Sequence, residues 1–208
     1  MSLRRPAVAI AALAFAAGAA AAPTAAPTLG AEPRTLVYGK GEVTLRGVVA
    51  SKQAGEEVAI LSQACLFTEP AQIGTTRSRA GGAFSYRIQP LLNTTFRART
   101  EAGTSGGVRI GVTPIISVRR IKAGRYRVEV QTTNPVFLDG KLVTIQRRAG
   151  TRWVQLARVK LAKASGETAI TVLSAATVSL KATGVIRAFL PAAQARCYLG
   201  AASAEIGA

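Results

Sequence analysis

The chain has 208 residues with 27 lysines and arginines, 10 acidic residues and no histidine, so its net charge is +17. Without histidine, and with a single aspartate at Asp139, it cannot form a Ser-His-Asp or Cys-His catalytic arrangement. Two cysteines and no histidine also fall short of the ligands that a zinc site usually needs. We therefore expect no enzyme activity, no cofactor and no bound metal.

The N-terminus has the layout of a secretory signal peptide, residues 1–21. The positive segment MSLRR precedes the alanine-rich apolar run PAVAIAALAFAAGAAAA, and small residues at Ala19 and Ala21 suit cleavage before Ala22. The alternative is a retained anchor, but the run is shorter than the roughly 20 apolar residues of a spanning helix. The sequence predicts an exported protein, secreted or in the cell envelope, with a flexible Pro- and Ala-rich leader over 22–33 and no transmembrane segment in the mature chain.

After the leader, the hydrophobic period is two residues, which is typical of half-buried β-strands. Val43 and Leu45 alternate with polar residues, and so do Tyr126, Val128 and Val130. Glycine, asparagine and proline separate many such short segments, and this spacing of turn signals favours a β-sandwich.

An internal repeat divides the mature chain into two parts. GEVTLRGVVASKQAGEEVAILSQ, residues 41–63, matches GRYRVEVQTTNPVFLDGKLVTIQ, residues 124–146. The repeat predicts two homologous sandwich domains, 34–112 and 115–206. Only Thr113-Pro114 joins them, so the link is short and stiff.

The chain resembles tandem bacterial immunoglobulin-like domains of exported proteins from high-GC Gram-positive bacteria. The segments that carry the resemblance span nearly the whole mature chain: GEVTLRGVV with AGEEVAIL, AGGAFSYRIQPLLNTTFRA, DGKLVTIQRRAGTRWV and VIRAFLPAAQARCYLG. The resemblance implies an all-β fold of two tandem immunoglobulin-like β-sandwich domains. It also implies a structural, adhesive or binding role outside the cytoplasmic membrane, and it carries over no functional residue.

The second half of the chain carries most of the positive charge, with 15 basic and 4 acidic residues over 113–208. Such a field favours anionic partners, here an anionic cell-wall polymer or polysaccharide. The residues that could form a polyanion contact are Arg119, Arg120, Arg125, Arg127, Arg147, Arg148, Arg152, Arg158 and Lys160. The alternative is a solvated outer face that serves solubility. Nucleic acid is not expected, because aromatic residues for base stacking are few and Trp153 is expected in the core.

The two cysteines, Cys65 and Cys197, can pair if the protein is exported to an oxidising compartment. Cys65 follows the strand EEVAILSQ, at the end of domain 1 that faces domain 2. Cys197 follows the strand VIRAFL, in a loop at the facing end of domain 2. The sequence predicts an interdomain disulfide that fixes the orientation of the domains, with two free thiols or pairing between chains as the alternatives.

Two functions remain open from the sequence. The first is an exported, non-catalytic structural or adhesive module that works as a monomer through its surface and its rigidity. The alternative is a polyanion-binding protein of the cell envelope that uses the basic second domain. Salt discriminates them, because a polyanion binder loses affinity as ionic strength rises.

Overall fold

The structure is a computed structural model that describes residues 25–208. Over that range the chain forms β-strands and two short 3-10 turns, Ala80–Gly82 and Ala192–Gln194. The same range contains no helix with the length and apolar character needed to cross a membrane. The predicted signal peptide, 1–21, lies outside the described residues.

The first half of the described chain contains nine strands. They are β1 (Gly30–Glu32), β2 (Thr35–Val37), β3 (Val43–Val48), β4 (Glu57–Ala64), β5 (Ala71–Arg77), β6 (Ala83–Ile88), β7 (Thr94–Thr100), β8 (Gly103–Thr104) and β9 (Val108–Thr113). One sheet has the order β1-β3-β6 and the other β2-β9-β7-β4-β5, with β8 paired to β7. Leu45, Ile60, Phe84 and Phe96 come from both sheets into one buried cluster, so the sheets pack face to face as the first sandwich.

The second half forms a second sandwich. Its strands are β10 (Ile115–Lys122), β11 (Arg125–Thr133), β12 (Leu142–Ala149), β13 (Arg152–Lys160), β14 (Ala162–Ala164), β15 (Thr171–Ser179), β16 (Val185–Leu190), β17 (Ala201–Ala202) and β18 (Ile206–Gly207). The sheet orders are β10-β11-β15-β14 and β13-β12-β16-β17, with β18 also on β16. These orders match the ABED and C′CFG sheets of an immunoglobulin-like sandwich. The predicted all-β fold of immunoglobulin-like sandwiches is confirmed.

Alternation along the strands decides which side chains enter the cores. In β11, Tyr126, Val128 and Val130 are buried, whereas Arg125, the first residue of the strand, is exposed. Strand β9 ends at Thr113 and β10 begins at Ile115, so a single residue separates the sandwiches. The ends of the two cores therefore lie close together.

The prediction of a flexible leader over 22–33 is wrong for its last residues. Gly30–Glu32 form β1, which pairs with β3 and places Glu32 opposite Thr44. Further upstream, the backbone N–H of Thr28 donates to the carbonyl of Val48 at 2.9 Å. A strand of three residues is too short to show an alternating pattern, so hydrophobic periodicity could not predict it.

Candidate functional site

Cys65 and Cys197 form a disulfide between the two sandwiches, with 5.5 Å between their Cα atoms. Cys65 directly follows β4, and Cys197 lies in the loop between β16 and β17. The predicted pairing is confirmed, and neither cysteine is free. A covalent link therefore joins parts of the chain that are 132 residues apart.

Asn93 connects both cysteines through its backbone and β9 through its side chain. The N–H of Cys65 donates to the Asn93 carbonyl at 2.9 Å, and the N–H of Asn93 donates to the Cys197 carbonyl at 3.0 Å. The Asn93 Oδ1 accepts a hydrogen bond from the backbone N–H of Val112 at 2.8 Å. Asn93 begins the sequon NTT, but it is only 7% exposed in the folded chain, so its amide is inaccessible to glycosylation there.

Two tyrosines from different sandwiches meet at the junction. The Tyr38 hydroxyl donates to the carbonyl of Ile170 at 2.9 Å, and the Tyr198 hydroxyl accepts from the backbone N–H of Thr133 at 2.7 Å. Their rings pack edge to face with 6.3 Å between centroids, a favourable aromatic geometry. Burial raises the pKa of the Tyr198 phenol well above its ordinary value, because the phenolate would lose its hydration.

The core of the second sandwich continues into the first. Tyr38, Leu92 and Val112 of the first sandwich belong to the same buried cluster as the second sandwich's core. Leu199 packs directly against the Cα of Gly111, where a Cβ would collide with the leucine side chain. The junction thus combines a disulfide, hydrogen bonds and apolar packing.

The nine predicted polyanion contacts do not form one face. Arg119, Arg125 and Arg127 lie on the outer face of the β10-β11-β15-β14 sheet. Arg158 and Lys160, together with Arg148, lie on the outer face of the β13-β12-β16 sheet. These two sheets are the opposite layers of the sandwich, so their outer faces point in opposite directions.

The other three predicted contacts lie outside both outer faces. Arg147 pairs with Val154, on the side of β12 that faces the core, and its Nε is buried without a hydrogen-bond partner among residues 25–208. Arg120 and Arg152 are exposed, but their positions on β10 and β13 share the core-facing parity. These three residues therefore share neither outer face with the other six, since strand parity separates them.

Trp153 is not in the core, so that prediction is also wrong. It is half-buried on the outer face of β13, with the Arg187 guanidinium carbon 4.0 Å from the ring centroid and that of Arg148 at 5.8 Å. Both distances are within the range of cation–π attraction. The guanidinium groups therefore cover the tryptophan in place of core side chains.

A β-bulge at Leu156 places the cations of β13 on the same face as Trp153. Neighbouring residues of β12 pair with Ala157 and Gln155, which leaves Leu156 without a partner on β12. Under strict alternation Trp153 and Arg158 would lie on opposite faces of the strand. The extra residue brings both side chains to the outer face, as bulges commonly do.

Arg187 and Gln146 belong to this face and were missed from the sequence. The Arg187 Nε donates to the Gln146 Oε1 at 2.8 Å. In the first sandwich, the Arg97 Nη1 lies 3.4 Å from the Gln63 Oε1. The internal repeat aligns residue 63 with residue 146 and TTFRART with GVIRAFLP, so the recurrence of this Arg–Gln pair was the available signal.

The acidic side chains of the described chain are dispersed. Residues 25–208 contain no group of three or more His, Cys, Asp or Glu side chains that could hold a metal ion. Three carboxylates instead pair with single cations: Glu129 with Arg127 at 2.7 Å, Glu205 with Arg148 at 3.2 Å and Glu167 with Lys163 at 3.2 Å. Each of these carboxylates therefore pairs with one cation, and the three do not gather at a common site.

Comparison with known proteins gives no family for this chain. No protein-family profile matches it, and no curated protein matches it in sequence. Among solved structures, the crystal structure of red sea bream transglutaminase is similar to it with 13% identity, a TM-score of 0.28 and coverage of 77% of this chain. The chain spans 28% of that structure, and a likeness of this size supports no conclusion about function.

Proposed function

We propose that the protein is an exported, non-catalytic module that holds two immunoglobulin-like sandwiches in a fixed orientation at the cell surface or in the extracellular medium. The observation that supports this is the junction, where the Cys65–Cys197 disulfide and Asn93 act at the same point. Domains joined by one chain normally move relative to each other unless their interface is large and apolar. Here the two cores are also continuous through Tyr38, Leu92 and Val112.

The export step of this proposal has two supports. The N-terminal sequence has the layout of a signal peptide, and a disulfide persists in oxidising compartments. The resemblance to tandem immunoglobulin-like domains of exported bacterial proteins agrees with both. A fixed junction would hold a surface on one sandwich at a constant distance and orientation relative to a surface on the other.

Residual dipolar couplings test the fixed orientation. The mature, oxidised protein should give one alignment tensor for the amides of both sandwiches, since a rigid junction aligns them together. A Cys65→Ser/Cys197→Ser variant measures how much of that rigidity depends on the disulfide. Two clearly different tensors in the oxidised protein would contradict the proposal.

The charge of the second sandwich favours a second candidate function, polyanion binding in the cell envelope. Residues 113–208 hold 15 basic and 4 acidic residues, and within 25–208 only Arg127, Arg148 and Lys163 form ion pairs with carboxylates. Unpaired surface cations attract anionic polymers, and the attraction weakens as salt screens it. Absence of retention on immobilised heparin at low salt would rule this candidate out.

A further inference from the structure

Four cations occupy successive rows on the outer face of the β13-β12-β16 sheet. The pairing register gives these rows, from one end of the sheet to the other: Leu142 and Lys160; Thr144, Arg158 and Phe189; Gln146, Gln155 and Arg187; Arg148 and Trp153. Each row holds one cation. Rows on one face of a strand are about 6.8 Å apart, so the four cations extend over roughly 20 Å. We call Lys160, Arg158, Arg187 and Arg148 the cation track.

The side chains at the centre of the track are held in place by their neighbours. The Arg187 Nε donates to Gln146 at 2.8 Å while the guanidinium lies over Trp153, and the Arg158 Nε donates to the Gln155 Oε1 at 3.2 Å. Both hydrogen bonds use Nε, so the two Nη nitrogens of each arginine stay free of these bonds. The two Nη groups can donate a bidentate pair of hydrogen bonds to a carboxylate. Side chains already ordered in this way lose less conformational entropy when they bind a ligand.

The charge of the track is mostly uncompensated. Among the described residues, Arg148 is the one member with a carboxylate partner, Glu205 at 3.2 Å. Arg127 on the opposite sheet, by contrast, is paired with Glu129 at 2.7 Å. Across residues 25–208, three cations of the track lack a carboxylate partner, against two on the opposite outer face, Arg119 and Arg125. Charge complementarity therefore favours the face with the cation track as the place where an anionic ligand docks.

We infer that the cation track binds an acidic polysaccharide. Its arginines donate hydrogen bonds to carboxylates that recur along an extended sugar chain. This inference rests on the second candidate function, polyanion binding by the second sandwich. A linear series of cations over roughly 20 Å fits a polymer better than a single small anion. Trp153 is covered by Arg187 and Arg148, so it offers no free ring for the base stacking that single-stranded nucleic acid uses.

The inference is tested by titrating the mature, oxidised protein with polygalacturonate, a polymer of carboxylated sugars. Trp153 is the single tryptophan, so its emission reports binding beside the track. The track variant is Arg158→Gln/Lys160→Gln, and the matched control is Arg119→Gln/Arg125→Gln on the opposite sheet. All four side chains are exposed, and both variants remove two positive charges. We expect about a tenfold loss of affinity for the track variant and less than about threefold for the control.

Each outcome decides between the face and the function. Equal losses in both variants would overturn the assignment to this face and leave polyanion binding in place. Binding to polyphosphate or single-stranded DNA without binding to polygalacturonate would overturn the assignment of an acidic polysaccharide as the ligand. No binding to any of these polymers at low salt would refute both the inference and the second candidate function. If the double variant does not fold, Lys160→Glu, at the exposed end of β13, tests the same face.

Discussion

The backbone N–H of Asn93 donates a hydrogen bond to the carbonyl of Cys197 across the junction, at 3.0 Å. The Asn93 carbonyl accepts from the N–H of Cys65, and its side chain accepts from Val112. One buried residue thus holds both ends of the disulfide and the last strand of the first sandwich. The covalent and the non-covalent links between the sandwiches therefore act at one point.

Replacing Asn93 by alanine should destabilise the protein. The substitution leaves the buried N–H of Val112 without its 2.8 Å acceptor, and an unpaired buried donor costs about 1–3 kcal/mol. Urea unfolding followed by circular dichroism measures the change. Asn134→Ala is the control, since Asn134 is exposed and its side chain makes one long bond of 3.4 Å, to Ala169. Equal destabilisation by both substitutions would refute the role given to Asn93.

Removing the disulfide with Cys65→Ser/Cys197→Ser should lower the free energy of unfolding by about 2–5 kcal/mol. The bond closes a sequence separation of 132 residues, so its loss frees a long segment of the unfolded chain. The loss should appear in the emission of Trp153, because the second sandwich shares buried residues with the first at this junction.

The reduced wild-type protein serves as the control for the double serine variant. Its urea midpoint should agree with that of the variant, since both lack the bond and keep the same junction contacts. A midpoint for Trp153 emission that is the same in oxidised wild type and variant would contradict the prediction.

Stability should fall at alkaline pH because of Tyr198. Burial raises the pKa of this phenol in the folded state above its unfolded value of 10.0. The group therefore contributes stability fully below that unfolded value, and the contribution is lost as pH rises above it. The slope reaches at most about 1.4 kcal/mol per pH unit.

The comparison of wild type with Tyr198→Phe isolates this contribution. The variant also leaves the N–H of Thr133 without its 2.7 Å acceptor, so it should be less stable than wild type by about 1–3 kcal/mol near neutral pH. The difference in unfolding free energy should then shrink as pH rises above about 10. A difference that stays constant up to pH 11 would show that Tyr198 ionises alike in both states.

Local alternation and the internal repeat were enough to predict the sandwiches and the position of each cysteine. Cys65 and Cys197 each follow a predicted strand, and the topology of a sandwich places the ends of these strands at the same junction. The two-residue period can be recognised within a single strand, because each strand of a sandwich buries one of its two faces. Once the strands are known, only a few arrangements can pack their apolar faces together in two sheets.

The basic face could not be predicted in the same way, because it depends on register. The bulge at Leu156 changes which side of β13 each later residue occupies, and no pattern in the sequence marks it. If the bulge is ignored, strict alternation places Trp153 and Arg158 on opposite faces of β13. Trp153 is then assigned to the face that packs in the core. Arg187 joins the face only through cross-strand pairing with Gln146, a contact between residues far apart in sequence.

Deleting Leu156 should therefore place Trp153 on the opposite face of β13 from Arg158 and Lys160. Without the extra residue, either Trp153 must turn toward the core or Val159 must leave it, and Val159 is buried beside Leu161 in the core of the second sandwich. Turning out one such side chain costs about 1.5–3 kcal/mol. We expect a lower free energy of unfolding in both cases. Where Trp153 turns inward, its contact with Arg187 is lost and its acrylamide quenching changes.

Leu156→Ala is the matched control for the deletion. It keeps the chain length and the bulge, and Leu156 is exposed, so the quenching of Trp153 should stay as in wild type. Stability should change by less than about 0.5 kcal/mol, as for most surface substitutions. A deletion variant with the stability and the quenching of the alanine variant would show that the bulge does not set the face.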